Sequence, residues 1–98
     1  SSRDRLFFAV KDSRSQRIIQ HFPEACEFID KRLNQAHRIL VHCHLGVSRS
    51  ATIVAAYLMY RDREHCDRIL PAIIRKRPKV NPNQGFRRQL DVWYKTDF

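Results

Sequence analysis

Apolar residues follow two different patterns along the chain, and each pattern predicts a different kind of element. Short unbroken apolar runs at residues 6–10 and 39–41 are typical of buried strands, and the second predicts a strand over residues 38–42. Between these runs, apolar residues recur at helical spacing from about residue 16 to 36, which predicts a helix with one buried face. Pro23 is costly deep inside a helix, so we expect the helix to begin close to it or to kink there.

The second half of the chain predicts three more helices. The run from about residue 49 to 61 is apolar almost all round, which indicates a buried helix. Asp67 can N-cap the next helix, which tolerates Pro71 only near its start. A break at residues 81–85 precedes the last helix, whose apolar stripe consists of Phe86, Leu90 and Trp93.

The junction between the second predicted strand and the helix after it has the layout of an anion-binding site. Loop amides and the first turn of a helix both direct N–H groups at a bound anion, and Gly46 gives the loop conformational freedom. Arg49 offers a planar fork of donors to two phosphate oxygens, and the same positive field favours a thiolate at Cys43. A cysteine on a strand is usually a small hydrophobic residue. The flanking His42 and Ser50, with a strand before and a helix after, favour a nucleophile aimed at phosphorus.

The string His42-Cys43-x5-Arg49-Ser50 resembles the signature of the cysteine-dependent protein tyrosine phosphatases, and residues 42–52 resemble their dual-specificity branch. The resemblance runs from about residue 6 to 95. It implies an α/β fold of the protein tyrosine phosphatase type, with a central sheet flanked by helices around a strand–phosphate loop–helix core. It also implies hydrolysis of phosphotyrosine, and with it phosphoserine and phosphothreonine, in phosphorylated proteins through a cysteinyl-phosphate intermediate, without metal or cofactor.

The family's catalytic domain normally begins with a further strand–helix–strand portion. From the resemblance we expect residues 1–98 to form the C-terminal portion of such a domain, truncated at its N-terminus. We expect this to affect activity and the depth of the substrate cleft more than the identification.

The resemblance assigns a role to each residue of the signature. Cys43 is the nucleophile, Arg49 binds the phosphate oxygens, Ser50 donates a hydrogen bond to the departing thiolate, and His42 shapes the loop. The phosphate-binding residues are His44, Leu45, Gly46, Val47, Ser48 and Arg49.

Two residues outside the signature complete the predicted site. Pattern alone makes Asp12 an N-cap or Asx-turn residue. The string Val10-x-Asp12, with its Ser-rich loop and following helix, resembles the family's general-acid loop and makes Asp12 the proton donor. Asn83, in the string Asn-Pro-Asn-x-Gly-Phe, resembles the residue that braces the phosphate loop; an N-cap is the alternative, and one side chain can serve both purposes. The other acids considered, Asp30, Asp62 and Asp67, fall in helical or helix-boundary stretches.

Composition and net charge bear on the partners, the metal sites and the location that we expect for this chain. The net charge of +9 favours acidic partners, although most of the basic residues are expected to be solvated surface, including the basic turn at 75–79. Three irregularly spaced cysteines predict neither a disulfide framework nor a zinc site, which fits a cytoplasmic or nuclear protein. Cys26 is expected in the core, with redox pairing to Cys43 as the alternative. No apolar run is long enough to span a membrane.

Two functions of other classes compete with catalysis. One is a phosphopeptide-binding module that has lost turnover, against which the presence of all three catalytic residue types argues. The other is a nucleic-acid-binding fragment, which no interleaving of aromatic and basic residues supports.

Overall fold

The computed structural model describes residues 13–35 and 48–96, and these two ranges are helical apart from their connections. A 3-10 helix is followed by four α-helices: the 3-10 helix Ile18–His21, α1 Phe22–Asn34, α2 Arg49–Asp62, α3 Cys66–Lys76 and α4 Gln84–Lys95. The predicted strands at residues 6–10 and 38–42 lie outside the described residues. Within the described ranges, the helices are too short or too polar to cross a lipid bilayer.

Helix α1 begins beside Pro23, as one of the two alternatives predicted. Proline is well tolerated there because the first N–H groups of a helix have no intrahelical acceptor. The predicted helix therefore starts later than residue 16, and the 3-10 helix Ile18–His21 leads into it. The buried face of α1 consists of Phe22, Ala25, Cys26 and Ile29.

Helix α2 lies at the centre of the described residues and packs against α1, α3 and α4. The sequence predicted a buried helix from about residue 49 to 61, and the observed bounds and burial confirm it. Ala55 and Ala56 are fully buried, and their small side chains let neighbouring helices approach closely. The helix ends at Asp62, and its C-cap, Arg63, takes the left-handed backbone conformation with a φ of 56°.

Helix α3 corrects two predictions. Its N-cap is His65 rather than Asp67, because His65 Nδ1 accepts a hydrogen bond from the Asp67 N–H at 3.1 Å. Pro71 lies in the middle of the helix, not near its start, so the Asp67 carbonyl has no N–H group four residues on. Residues 67 and 71 are both exposed, and water can hydrate the backbone there.

Helix α4 closes the core through the apolar stripe predicted for it. Phe86 and Leu90 are fully buried and Trp93 nearly so, which confirms the stripe. Trp93 packs edge-to-face against Phe22, with ring centroids 5.5 Å apart, and its indole N–H donates to the Ala56 carbonyl at 3.1 Å. These contacts fix α4 against both α1 and α2.

Candidate active site

The described residues contain four members of the predicted site, and the structure brings all four together. They are Ser48, Arg49, Ser50 and Asn83. The other members lie outside the described residues: Asp12, His42, Cys43, His44, Leu45, Gly46 and Val47.

Three of the four residues form the start of α2. Ser48 is the N-cap, and Arg49 and Ser50 are the first two helical residues. Ser48 and Ser50 are buried, while Arg49 is half-buried with its Nε atom shielded from solvent. The first turn of α2 carries no acidic side chain, so no carboxylate of that turn offsets the positive end of the helix dipole. This end of α2 therefore favours an anion.

The Ser48 hydroxyl does not cap its own helix, although serine usually does. Instead it accepts a hydrogen bond from the backbone N–H of Asn83 at 3.1 Å. The Ser48 carbonyl accepts from both the N–H and the hydroxyl of Thr52, at 2.9 and 2.6 Å. Ser48 is thus held from α2 on one side and from the loop before α4 on the other, which fixes the entry to the first turn.

Asn83 is the N-cap of α4, which confirms one of the two interpretations of this residue. Its side-chain oxygen accepts from the Phe86 N–H at 2.8 Å. Arg87 stiffens the loop before it, because its guanidinium donates to the Pro82 carbonyl at 2.9 Å and to Asn81 Oδ1 at 3.2 Å. The contact of the Asn83 backbone with Ser48 places this loop beside the end of the predicted phosphate loop. The bracing role of the side chain stays a prediction.

The acids that compete with Asp12 lie in helices, as expected. Asp30 accepts a hydrogen bond from the Tyr57 hydroxyl at 3.2 Å. Asp62 forms an ion pair with Arg61 at 2.8 Å, and this contact lowers the pKa of the Asp62 carboxyl. Both carboxylates are therefore engaged in contacts within or between helices.

The two described cysteines lie in environments that raise the thiol pKa, whereas a nucleophilic cysteine needs a lowered one. Cys26 is buried, and burial, with a smaller contribution from Asp30, raises the pKa of its thiol to about 12. Burial is also the largest cause of the raised pKa of Cys66. Both thiols are therefore protonated at neutral pH, as expected of core residues. Redox pairing of Cys26 with Cys43 stays an untested alternative.

One cluster of metal-ligating residue types occurs among the described residues, at the start of α3. Ligand atoms of His65, Cys66 and Asp67 lie within 4.8 Å of one another. However, His65 Nδ1 accepts from the Asp67 N–H, which puts the ring proton on Nε2, and this atom donates to Asp91 at 2.6 Å. Both ring nitrogens are thus used in structural hydrogen bonds, and we assign the cluster a capping role.

Sequence reasoning missed two residues of α4 that touch the segment after Asp12. Gly85 lies against the backbone of Arg14, and the Gln89 side chain bonds to the backbone of Gln16 and Ile19. Only Gly85 left a signal in the sequence. A glycine within the first turn of a helix lowers helix propensity, and close approach of another backbone is one reason to keep it.

Comparison with known proteins adds evidence from outside the chain. The family model described as dual specificity phosphatase, catalytic domain, matches residues 1–96. Tyrosine-protein phosphatase yvh1 of Schizosaccharomyces pombe is 39% identical over 93 residues, which make up 95% of this chain and 28% of that protein. Human dual specificity protein phosphatase 9 is 42% identical over 81 residues, or 83% of this chain and 21% of that protein. The chain spans less than a third of the length of these two relatives.

The chain is also similar to a solved structure. The crystal structure of DUSP15 superimposes with a TM-score of 0.91 at 38% sequence identity, over 94% of this chain and 59% of that one. At this identity and score, the two chains have the same fold over the matched part.

Proposed function

The chain belongs to the family of dual specificity phosphatase catalytic domains, and from this premise we propose that it hydrolyses phosphate monoesters of proteins through a cysteinyl-phosphate intermediate. The observation that carries the proposal is the match of the family model to residues 1–96, a range that includes Asp12 and the whole signature from His42 to Ser50. Residues 1–98 are proposed to be the C-terminal portion of the catalytic domain.

The proposed reaction has two steps. The Cys43 thiolate attacks phosphorus in line, forming the S–P bond as the bond to the leaving oxygen breaks, and Asp12 protonates that oxygen. Loop amides and Arg49 hold the equatorial oxygens, whose charge they stabilise in the transition state. Asp12, now a base, takes a proton from water, which attacks phosphorus and releases phosphate. Ser50 donates a hydrogen bond to the departing Cys43 thiolate.

The start of α2 supports this mechanism. The helix begins at Arg49, directly after the predicted phosphate loop, and its first turn has no acidic side chain. Ser48 turns its hydroxyl to Asn83 rather than to the first turn of α2. An anion at this end of the helix would therefore meet the positive end of the dipole without a competing carboxylate from the first turn or a capping hydroxyl from Ser48.

The proposed substrates are phosphotyrosine, phosphothreonine and phosphoserine side chains of proteins. The loop residues Leu45 and Val47 are neutral and resemble those of protein-directed members of the family, whereas lipid-directed members tend to carry a lysine within the loop. Catalysis by a thiolate fits the reducing conditions of the cytoplasm or nucleus, which we propose as the location.

Hydrolysis of para-nitrophenyl phosphate by this chain tests the proposal. We expect activity in the wild type and in Cys66→Ala, which deletes a buried thiol outside the site, and none in Cys43→Ser. Activity that survives in Cys43→Ser would contradict the assigned nucleophile. A wild-type chain that binds phosphotyrosine peptides without releasing phosphate would instead identify a binding module.

The substrate class is tested with a trapping variant. Asp12→Ala slows the first step, so we expect it to retain phosphorylated proteins that the wild type releases, and added orthovanadate should displace them. Release of phosphate from phosphotyrosine, phosphothreonine and phosphoserine peptides of one sequence would then rank the three side chains. An Asp12→Ala variant that hydrolyses aryl phosphates as fast as the wild type would contradict the acid assignment.

A further inference from the structure

We propose that helix α4 positions the general acid, with Gln89 and Gly85 as the positioning residues that hold the segment following Asp12. The inference rests on the proposed function, because it takes Asp12 as the proton donor. It adds two residues that act through Asp12 and touch neither substrate nor phosphorus.

The Gln89 side chain holds this segment by two hydrogen bonds. Its Oε1 accepts from the Ile19 N–H at 2.9 Å, and its Nε2 donates to the Gln16 carbonyl at 2.8 Å. Both bonds are partly buried and join residues that are at least 70 positions apart in the chain. Because the amide uses both ends, it fixes the position and the orientation of the backbone from residue 16 to 19.

Gly85 makes the second contact, nearer to Asp12. A Cβ atom on Gly85 would lie 2.6 Å from Arg14 Cα and 2.7 Å from its carbonyl carbon, and closer still to its carbonyl oxygen. Real Cβ atoms do not approach backbone atoms so closely, so any side chain at position 85 would displace residue 14. The first turn of α4 therefore packs directly against the backbone of Arg14, which is two residues after Asp12 in the sequence.

The segment between these contacts is a closed turn. The Gln16 N–H donates to the Ser13 carbonyl at 3.1 Å, and the Ser15 N–H donates to the Ser13 hydroxyl at 3.3 Å. Ile18, which follows the turn, is almost fully buried in the core. This turn is closed by its own hydrogen bonds and contacted by α4 at residues 14, 16 and 19. The proposal takes it as the support for Asp12, which precedes Ser13 in the sequence.

The same helix also contacts the end of the phosphate loop. Asn83, the N-cap of α4, donates its backbone N–H to Ser48, the residue before Arg49. One rigid helix thus contacts both the segment after the acid and the residue before the arginine. A proton donor must lie within hydrogen-bond reach of the leaving oxygen, and an error of about 1 Å can cost about 10²-fold in rate. We infer that α4 sets this distance.

A comparison of two substrates with different leaving groups distinguishes misplacement of the general acid from a general loss of structure. Phenyl phosphate needs protonation of its leaving oxygen much more than para-nitrophenyl phosphate does. In Gln89→Met, a variant of similar length without the amide, we expect kcat/KM to fall about tenfold for phenyl phosphate and less than about threefold for para-nitrophenyl phosphate. The control Gln20→Met alters an exposed glutamine of the 3-10 helix and should change neither value.

A double-variant cycle separates failure of the inference from failure of the proposed function. Asp12→Asn should show the same leaving-group-dependent loss, and Gln89→Met should add no further selective loss in the Asp12→Asn background. If Asp12→Asn treats both substrates as the wild type does, the acid assignment is wrong and the inference falls with it. If Asp12→Asn shows the loss but Gln89→Met slows both substrates equally, or slows them further in the double variant, the positioning role is wrong.

A second variant keeps the test decisive if Gln89→Met does not fold, as judged by circular dichroism. Gln89→Glu retains an acceptor for the Ile19 N–H but turns a carboxylate oxygen towards the Gln16 carbonyl. It should show the same selective loss for phenyl phosphate. An equal loss for both substrates in a folded Gln89→Glu variant would overturn the inference.

Discussion

Asn83 offers a prediction that separates two roles of one side chain. Its oxygen caps α4 by accepting from the Phe86 N–H at 2.8 Å. The family resemblance adds a second role, in which the side-chain amide donates to the phosphate loop. Asn83→Ala removes both the acceptor and the donor, whereas Asn83→Asp keeps the capping acceptor and removes only the donor.

The two variants should differ in stability. Loss of an N-cap hydrogen bond costs about 1 kcal/mol, which corresponds to a melting temperature about 4–8 °C lower in a domain of this size. Asn83→Ala should show this decrease. Aspartate is an equally good N-cap, and its charge interacts favourably with the start of α4 by about 0.3–1 kcal/mol. Asn83→Asp should therefore melt at or slightly above the wild-type temperature.

Both variants should lose activity to a similar extent. A hydrogen bond to a charged or strongly polarised group contributes about 1.5–3 kcal/mol, so losing the donor should lower kcat/KM for para-nitrophenyl phosphate by about 10- to 100-fold in both. The assay should be run well below the melting temperature of Asn83→Ala, with unfolding followed by circular dichroism. Asn81→Asp places the same charge two residues away, on an exposed side chain that contacts Arg87, and should keep wild-type activity. Wild-type activity in Asn83→Asp would refute the bracing role and leave only the cap.

Three further predictions concern two residues at the start of α2 and one charged residue of α4. Arg49→Lys replaces a planar fork by a point charge and should lower kcat/KM about 10²- to 10³-fold, with unchanged melting temperature; near-normal turnover would contradict phosphate binding by this residue. Ser50→Ala should spare the first step and slow the second, giving a burst of nitrophenol in stopped flow; a uniform slowing without a burst would argue otherwise. Hydrogen bonding from His65, and then from Lys95, lowers the pKa of Asp91. The ionised Asp91 carboxylate therefore stabilises the fold at pH values above the ordinary aspartate pKa. This stabilisation is lost as pH falls through the lowered pKa of Asp91 in the folded protein. Asp91→Asn should therefore lower the melting temperature at about pH 7, and the difference from the wild type should shrink as pH falls through the lowered pKa of Asp91; a difference that does not change with pH would exclude ionisation as the cause.

The local sequence pattern was sufficient to predict a helix, its bounds or its buried face where one strong feature of the sequence determines them. The apolar run after the signature predicted α2 to within a residue at its end, and the stripe of Phe86, Leu90 and Trp93 predicted the buried face of α4. Pro23 marked the start of α1 because proline is favoured in the first turn of a helix. In each case the determining residues lie within one helix.

Predictions failed where a distant residue decided the outcome. Asp67 is the better N-cap by propensity, but Asp91 holds the His65 ring through Nε2 and Tyr94 packs edge-to-face against it. These contacts across more than twenty residues leave Nδ1 facing the Asp67 N–H, so that His65 becomes the cap. No local pattern contains that information.

The same limit applies to the candidate site. The sequence predicted Ser48 in the phosphate loop and the start of a helix at Arg49 and Ser50, because the motif is contiguous. The contact of the Ser48 hydroxyl with the Asn83 N–H joins residues 35 positions apart, and the Gln89 contacts join residues twice as far apart. A single sequence shows which residues can form hydrogen bonds, but tertiary packing determines which pairs meet.

The central claim is that Cys43 is held as a thiolate by the loop and the start of α2. Its most direct test is the pH dependence of alkylation by iodoacetamide, read at each cysteine-containing peptide by mass spectrometry. Cys26 and Cys66 are buried with raised pKa values, so they should react slowly and serve as internal references. We predict that Cys43 reacts with a midpoint well below the ordinary thiol pKa of about 8.5, and that inorganic phosphate protects it. A midpoint at or above about 8.5, or a Cys43 thiol no more reactive than Cys26, would contradict the account.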